Sequence, residues 1–184
     1  MKRRTWFVVL AVFIALHLEA QPSEAAYRNN VSLNLLAIPV GNSVIAYEYY
    51  FNRQSLWFGG EHHFNGIFKE ENKALNSIAL EYRRYFSKNL QVADGLFAGL
   101  YSKYRTGQET LVEDAEFSHS YHAIFTGLNA GYKYFVNRFV FSAFAGYGIP
   151  VYLTEEGVTG NGETELNRGY NRDVRFGLTV GFAF

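Results

Sequence analysis

The sequence of 184 residues contains no cysteine and no excess of either charge, since Lys+Arg and Asp+Glu number 17 each. Without cysteine the chain can form no disulfide and has no thiolate to act as a nucleophile or a metal ligand. A balanced charge gives no overall field that would attract nucleic acid, so no nucleic-acid partner is expected. The length is that of a single domain.

Long apolar runs are also scarce, because the only one lies near the N-terminus, at residues 6–18. It follows three basic residues, is short for a transmembrane helix, and precedes several small residues. This pattern predicts a signal peptide over residues 1–25, cleaved after Ala20 or Ala25, of which Ala25 fits the small-x-small rule better. A retained membrane anchor is the alternative. A lipoprotein anchor is excluded because no cysteine follows the run.

The rest of the chain, residues 27–184, lacks both helical periodicity and any apolar run long enough to form a transmembrane helix. If this part crosses a membrane, it can do so only as a closed β-barrel, because backbone polar groups need internal partners in hydrocarbon.

Aromatic residues, in contrast, are abundant, with 14 Tyr and 17 Phe. The chain ends in "RFGLTVGFAF" (175–184), in which every second residue is large and apolar and the others are mostly small or polar. Alternate residues of a strand point to opposite faces, so one face of this strand is apolar. The apolar face meets a core in a soluble sandwich but meets lipid in a membrane barrel. A soluble sandwich or lipocalin-like barrel would leave too many of these aromatic residues in water.

Strand-like alternation recurs along residues 27–184. The predicted strands are 31–39, 43–51, 55–64, 74–86, 95–105, 120–135, 139–153 and 172–184. Short connections alternate with longer polar ones, except for a tight link at Gly41-Asn42, and this alternation is typical of outer-membrane barrels. The sequence therefore predicts an all-β fold, a closed antiparallel up-and-down transmembrane barrel of about eight strands.

The signal segment, the alternating last strand and the terminal Phe184 resemble those of small eight-stranded outer-membrane β-barrels of the OmpA/OmpX-like type. The resemblance implies residence in a Gram-negative outer membrane, contact with its lipid and lipopolysaccharide, and reading of Phe184 by the barrel-assembly machinery. It implies no particular activity, because such barrels include structural proteins, adhesins, narrow pores and lipid-modifying enzymes. We expect a structural or surface-interaction role and a monomer. A narrow channel for small solutes and a lipid A-modifying barrel enzyme remain the alternatives.

With the phenylalanine side of each strand facing outward, polar residues of the opposite parity face the barrel interior. The predicted interior charges are Glu48, Glu61, Glu81, Arg83, Lys133 and Arg175. An eight-stranded barrel is just wide enough for side chains to fill it, so these charges must pair or meet trapped water. They form either a structural ion-pair network or the lining of a gated conduit or ligand pocket.

No catalytic residues, cofactor or metal site are predicted. His62 and His63 are adjacent on a strand and point to opposite faces, so they cannot easily share one ion. Glu61 and His63 share a face but supply too few ligands for a metal. His122 with Ser118 or Ser120 matches no known motif. The loops 106–119 and 154–171 are rich in carboxylates, which are either solvated or bind cations or a basic partner.

Overall fold

The computed structural model describes residues 27–64, 73–87, 93–110, 118–158 and 172–184. The predicted signal segment 1–25 and most of the long loops lie outside the described residues. The strands are β1 (Asn29–Asn34), β2 (Asn42–Phe51), β3 (Gln54–His63), β4 (Lys73–Tyr85), β5 (Gly95–Thr110), β6 (Ser118–Val136), β7 (Phe139–Val158) and β8 (Asp173–Ala183).

The eight strands form one closed barrel in which each strand pairs with its neighbour in sequence and β8 pairs antiparallel with β1. The predicted all-β fold, a closed antiparallel up-and-down barrel of eight strands, is therefore confirmed. We call the end that holds the connections 52–53 and 137–138 the turn end, and the opposite end the loop end. At the turn end Asn52 and Asn137 have positive φ values of 57° and 53°, a conformation that asparagine adopts more readily than most residues.

The strands are strongly staggered around the barrel. One circuit of paired residues that starts at Ala183 passes through Asn30, Glu48, Trp57, Glu81, Tyr101, Gly127 and Gly148 and returns to the same strand at Asp173. The return lies ten residues before the start, which for eight strands corresponds to a strand tilt of about 40°. Residues on opposite strands can therefore meet across the interior although they are far apart in sequence.

Four of the predicted strand boundaries at the loop end differ from the structure by two residues or more. The first strand ends at Asn34 instead of continuing to 39, and a turn occupies 35–41 in place of a tight Gly41-Asn42 link. Pro39 has no N–H to donate to a ladder, and the side chain of Asn34 instead accepts a hydrogen bond from the Leu36 N–H at 3.2 Å. In contrast β5, β6 and β7 continue beyond the apolar alternation, because polar residues pair in a ladder equally well.

The two faces of the sheet differ as the alternation predicts. In β8, Val174, Phe176 and Leu178 face outward, whereas Asp173 and Gly177 are buried inside. Every strand from β2 to β8 exposes large apolar side chains outward, up to Leu128 at 69% exposure. The polar and charged residues are thus enclosed, and the apolar ones are on the surface, which is the reverse of a soluble barrel.

Inward glycines make room for large interior rings. A Cβ atom placed on Gly59 would collide with the indole of Trp57, and one on Gly127 would lie 2.8 Å from the ring of Tyr101. Real Cβ atoms do not approach other atoms this closely, so the rings fill space that any larger residue would occupy. The lumen is therefore packed around aromatic side chains next to glycine.

Candidate functional site

The candidate site is the charged interior of the barrel. Its charged side chains come from inward positions on six strands, β2, β3, β4, β5, β6 and β8. Near the turn end, Glu48 on β2 is 1% exposed and lies opposite Lys133 on β6. The ammonium group of Lys133 donates a hydrogen bond to one Glu48 carboxylate oxygen, Oε2. Ser55 and Tyr85 each donate a hydrogen bond to the other oxygen, Oε1, at 2.6 Å. Glu48 is thus fully desolvated and fully paired, as a buried carboxylate must be.

Arg83 connects this group to a second carboxylate. Its guanidinium donates to both oxygens of Glu81, at 2.8 and 3.3 Å, and approaches Glu48 at 3.5 Å. Asn129 donates to Glu81 at 2.8 Å, and Arg175 donates to it from the opposite strand at 3.3 Å. Bidentate pairing with arginine fixes the carboxylate plane as well as its position. We call Glu48, Glu81, Arg83 and Lys133 the turn-side network.

A second cluster lies nearer the loop end. Asp173 on β8 accepts hydrogen bonds from Lys103 at 2.5 Å, from Arg105 at 3.0 Å and from Tyr101 at 2.8 Å. Glu61 on β3 stands farther away, 3.9 Å from both Lys103 and Arg105, and accepts a hydrogen bond from Ser77 at 2.8 Å. We call Glu61, Lys103, Arg105 and Asp173 the loop-side network. Arg175 lies between the two networks.

Aromatic rings separate and cover the cations. The Arg175 guanidinium lies 4.3 Å from the centre of the Tyr101 ring, and Arg83 lies 5.1 Å from Trp57 and 4.8 Å from Phe97. Cation–π contacts of this kind stabilise a positive charge that has lost its water. Together with the ion pairs, the rings occupy the interior of the barrel around both networks.

A cavity of about 130 Å³ remains in the loop half of the barrel, beside the turn 35–41. Its polar lining includes Glu61, Lys103, Arg105 and Arg175, and Trp57 closes its inner end. The volume is close to the roughly 150 Å³ of a cavity that can hold benzene, and corresponds to about four water molecules.

All six predicted interior charges lie on the inside of the barrel. Glu48, Glu81, Arg83 and Lys133 are brought together directly, Arg175 reaches them through Glu81, and Glu61 is separate from them. The prediction missed Lys103, Arg105 and Asp173. Lys103 and Arg105 share the inward parity of Tyr101, and Asp173 shares that of Arg175, so the alternation of β5 and β8 could have identified all three.

The described side chains of His62, His63 and His122 do not converge on one site. His62 faces outward and pairs with Asn76 at 2.7 Å, His63 pairs with Asn42 at 2.8 Å, and His122 pairs with Tyr104 at 2.9 Å. Within residues 27–64, 73–87, 93–110, 118–158 and 172–184 there is no group of three His, Cys, Asp or Glu side chains that could hold a metal ion. The carboxylates of the long loops, such as Glu113 and Glu163, lie outside the described residues.

Among the described residues no helix is both long and apolar enough to cross a membrane. Comparison of the chain with models of protein families, with curated proteins and with solved structures finds no match.

Proposed function

We propose that the chain is an integral outer-membrane β-barrel of the small eight-stranded class, with a structural or surface-interaction role. The observation that carries the proposal is the inversion of the two faces, with apolar side chains outside and ion pairs inside. Ile45, Leu80, Leu100 and Leu128 are exposed by 54–69%, and they lie on four different strands. Such a surface is stable in hydrocarbon, where the strand ladders of a closed barrel satisfy the backbone polar groups internally.

The size of the apolar surface argues against water as its solvent. A half-exposed aromatic side chain offers on the order of 100 Å², because a fully buried one removes about 150–250 Å². A few such residues equal the largest apolar patch of an ordinary monomer, which is about 300–600 Å². This barrel exposes large apolar residues on all sides, so lipid is the solvent that fits it.

Aromatic residues at the turn end support the same orientation. Tyr49, Tyr82, Tyr132, Phe139 and Phe184 face outward there and are 38–55% exposed. Amphipathic rings favour the membrane–water interface and form girdles on outer-membrane barrels. The turn end would face the periplasm, and the loop end, with segments 65–72, 111–117 and 159–171, would face the medium and lipopolysaccharide.

The filled lumen supports a structural role over a narrow channel. Trp57, Phe97, Tyr101 and Phe125 are each at most 4% exposed, and they pack inside the barrel beside the ion-pair networks. An ion would have to displace these rings and break buried ion pairs to pass. The protein inserted in planar bilayers should therefore give no steady conductance; regular single-channel steps would support the channel instead.

Migration of the unheated and the boiled protein on gels tests the proposal. The full chain is expressed in a Gram-negative host, and outer-membrane, inner-membrane and soluble fractions are separated. The expected result is a heat-modifiable band that stays in the outer-membrane fraction after carbonate washing. A protein that is free in the periplasm and migrates identically before and after boiling would refute the proposal.

A further inference from the structure

The wall of the barrel is incomplete between β8 and β2 in the loop half. Strand β1, which lies between them, ends at Asn34, and its pairing with β8 ends at Thr179. Beyond that point β8 continues for six residues, 173–178, which pair on their other edge with β7. Among the described residues, this free edge receives two hydrogen bonds, from the Leu35 N–H to Leu178 at 2.8 Å and from the Asn34 side chain to Phe176 at 3.4 Å.

The turn 35–41 covers this gap. Its ends join the wall, because the Leu35 N–H donates to Leu178 and the Phe64 N–H donates to the carbonyl of Gly41 at 2.7 Å. Its middle bonds within the turn, since the N–H of Asn42 donates to the carbonyl of Ala37 at 2.9 Å and that of Gly41 donates to Ile38 at 3.1 Å. The middle of the turn can therefore move away from the wall without breaking a strand pair.

The cavity in the loop half lies directly behind this gap and has two kinds of lining. On its outer side are Leu36, Val40, Val174 and Phe176, which are 38–67% exposed on the barrel surface. On its inner side are the charged groups of the lumen. The cavity thus extends from the apolar exterior to the charged interior through the wall, and an apolar solvent outside would reach the charges by this route.

The inner lining is cationic. It holds Lys103, Arg105 and Arg175 against one carboxylate, Glu61. The neighbouring acids are shared, because Asp173 pairs with both Lys103 and Arg105, and Glu81 pairs with Arg175 as well as Arg83. Each cation can therefore take a further acceptor, and an added negative charge would meet three donors.

From this geometry we infer that the cavity binds the carboxylate of a long-chain fatty acid whose acyl chain leaves through the gap between β2 and β8 into the bilayer. The inference rests on the proposed membrane location. A volume of about 130 Å³ accommodates a carboxylate with the first few methylene groups. The remaining chain would lie along Leu36 and Phe176. A phosphorylated lipid with several chains would bring more charge and more bulk than one narrow gap admits.

Trp57 lines the cavity and serves as its reporter. The chain contains two tryptophans, so Trp6→Phe in the full chain leaves Trp57 alone. The protein is inserted into phosphatidylcholine vesicles and titrated with 2-bromohexadecanoate, whose bromine quenches indole at contact range. The expected result is saturable quenching that unbrominated hexadecanoate reverses. The neutral methyl ester should quench weakly and without saturation.

A reporter moved by one residue provides the matched control. The Trp57→Phe/Phe58→Trp variant, in the same background, places the indole on the outer face. There the acid and its ester should quench alike and in proportion to their concentration in the bilayer. Equal saturable quenching at Trp57 by the ester would overturn the inference. So would equal quenching by 2-bromoacetate, which has no chain, or displacement by dodecyl phosphate at lower concentration than by hexadecanoate.

Removal of a cation tests the charged end. Arg175→Met should raise the half-saturating concentration of 2-bromohexadecanoate about tenfold or more, because a charge-assisted hydrogen bond is lost. The outward-facing Arg84→Met should leave it unchanged. If Arg175→Met does not insert, Val44→Phe, which places a ring in the cavity, should abolish saturation. Inserted wild-type protein without saturable quenching refutes this inference alone, whereas a failure to insert refutes the proposed function with it.

Discussion

The pair formed by Glu48 and Lys133 should dominate the stability of the turn half of the barrel. Both side chains are 1% exposed, and they join β2 to β6 across the lumen. In the Lys133→Met variant one oxygen of Glu48 keeps only Arg83 at 3.5 Å and Tyr50 at 3.3 Å. Breaking a buried ion pair from one side costs about 3–5 kcal/mol. Because Arg83 and Tyr50 still contact Glu48, we expect the unfolding free energy to fall by about 3 kcal/mol.

The double variant isolates the interaction energy between Glu48 and Lys133 from the contributions of their other contacts. Glu48→Gln/Lys133→Met leaves no uncompensated charge at the two positions, so it should cost much less than the sum of the two single variants. The expected coupling energy is about 2 kcal/mol or more. Arg84→Met, which removes an exposed cation, should change the unfolding free energy by less than about 0.5 kcal/mol.

The assay is an equilibrium urea titration of the protein folded in vesicles, followed by the fraction that keeps the unheated gel migration. With a urea dependence of about 2 kcal/mol per molar, the loss in Lys133→Met corresponds to a midpoint lowered by roughly 1.5 M. Two single variants whose costs add within about 0.5 kcal/mol in the double variant would refute the reasoning. So would a Lys133→Met midpoint equal to that of the wild type.

Two further predictions concern packing and the outer face. Gly59→Ala should lower the unfolding free energy by about 1–3 kcal/mol in the same titration, since its methyl group meets the Trp57 ring. Gly60→Ala, whose methyl group meets nothing within 4 Å, should have little effect, and equal losses would contradict the packing account. Leu100→Arg, in the middle of the outer face, should cost about 2–4 kcal/mol in vesicles, against about 0–1 for Phe86→Arg near the turn end. A cost that does not depend on depth would mean that lipid does not cover Leu100.

The alternation of the sequence was sufficient to predict the barrel and the direction of most side chains. The parity of the last strand, extended to other strands, placed Glu48, Glu81 and Lys133 inside. Parity predicts which face of the sheet a side chain is on, but not its position along the barrel axis. Whether Glu48 contacts Lys133 depends on the stagger of the strands. Stagger follows from the register of every strand pair, which no local pattern reports.

The cavity depends on features that hydrophobic alternation does not contain. The first strand was predicted to continue through Leu35 and Ala37, and the structure ends it at Asn34, whose side chain turns back on the Leu36 N–H. This early end opens the gap next to Phe176. Lys103 and Arg105 alternate with Tyr104 in the sequence, so their inward direction was predictable, but their approach to Asp173 three strands away was not.

Labelling with a photoactivated carbene probe dissolved in the bilayer tests most directly which side of the barrel touches lipid. Native protein in vesicles is irradiated and digested, and the modified residues are identified by mass spectrometry. The probe should mark Leu100, Leu128 and Leu178, which face outward, and spare Tyr85 and Phe125, which are at most 1% exposed. Labelling of Tyr85 and Phe125 with Leu128 and Leu178 spared would contradict the account.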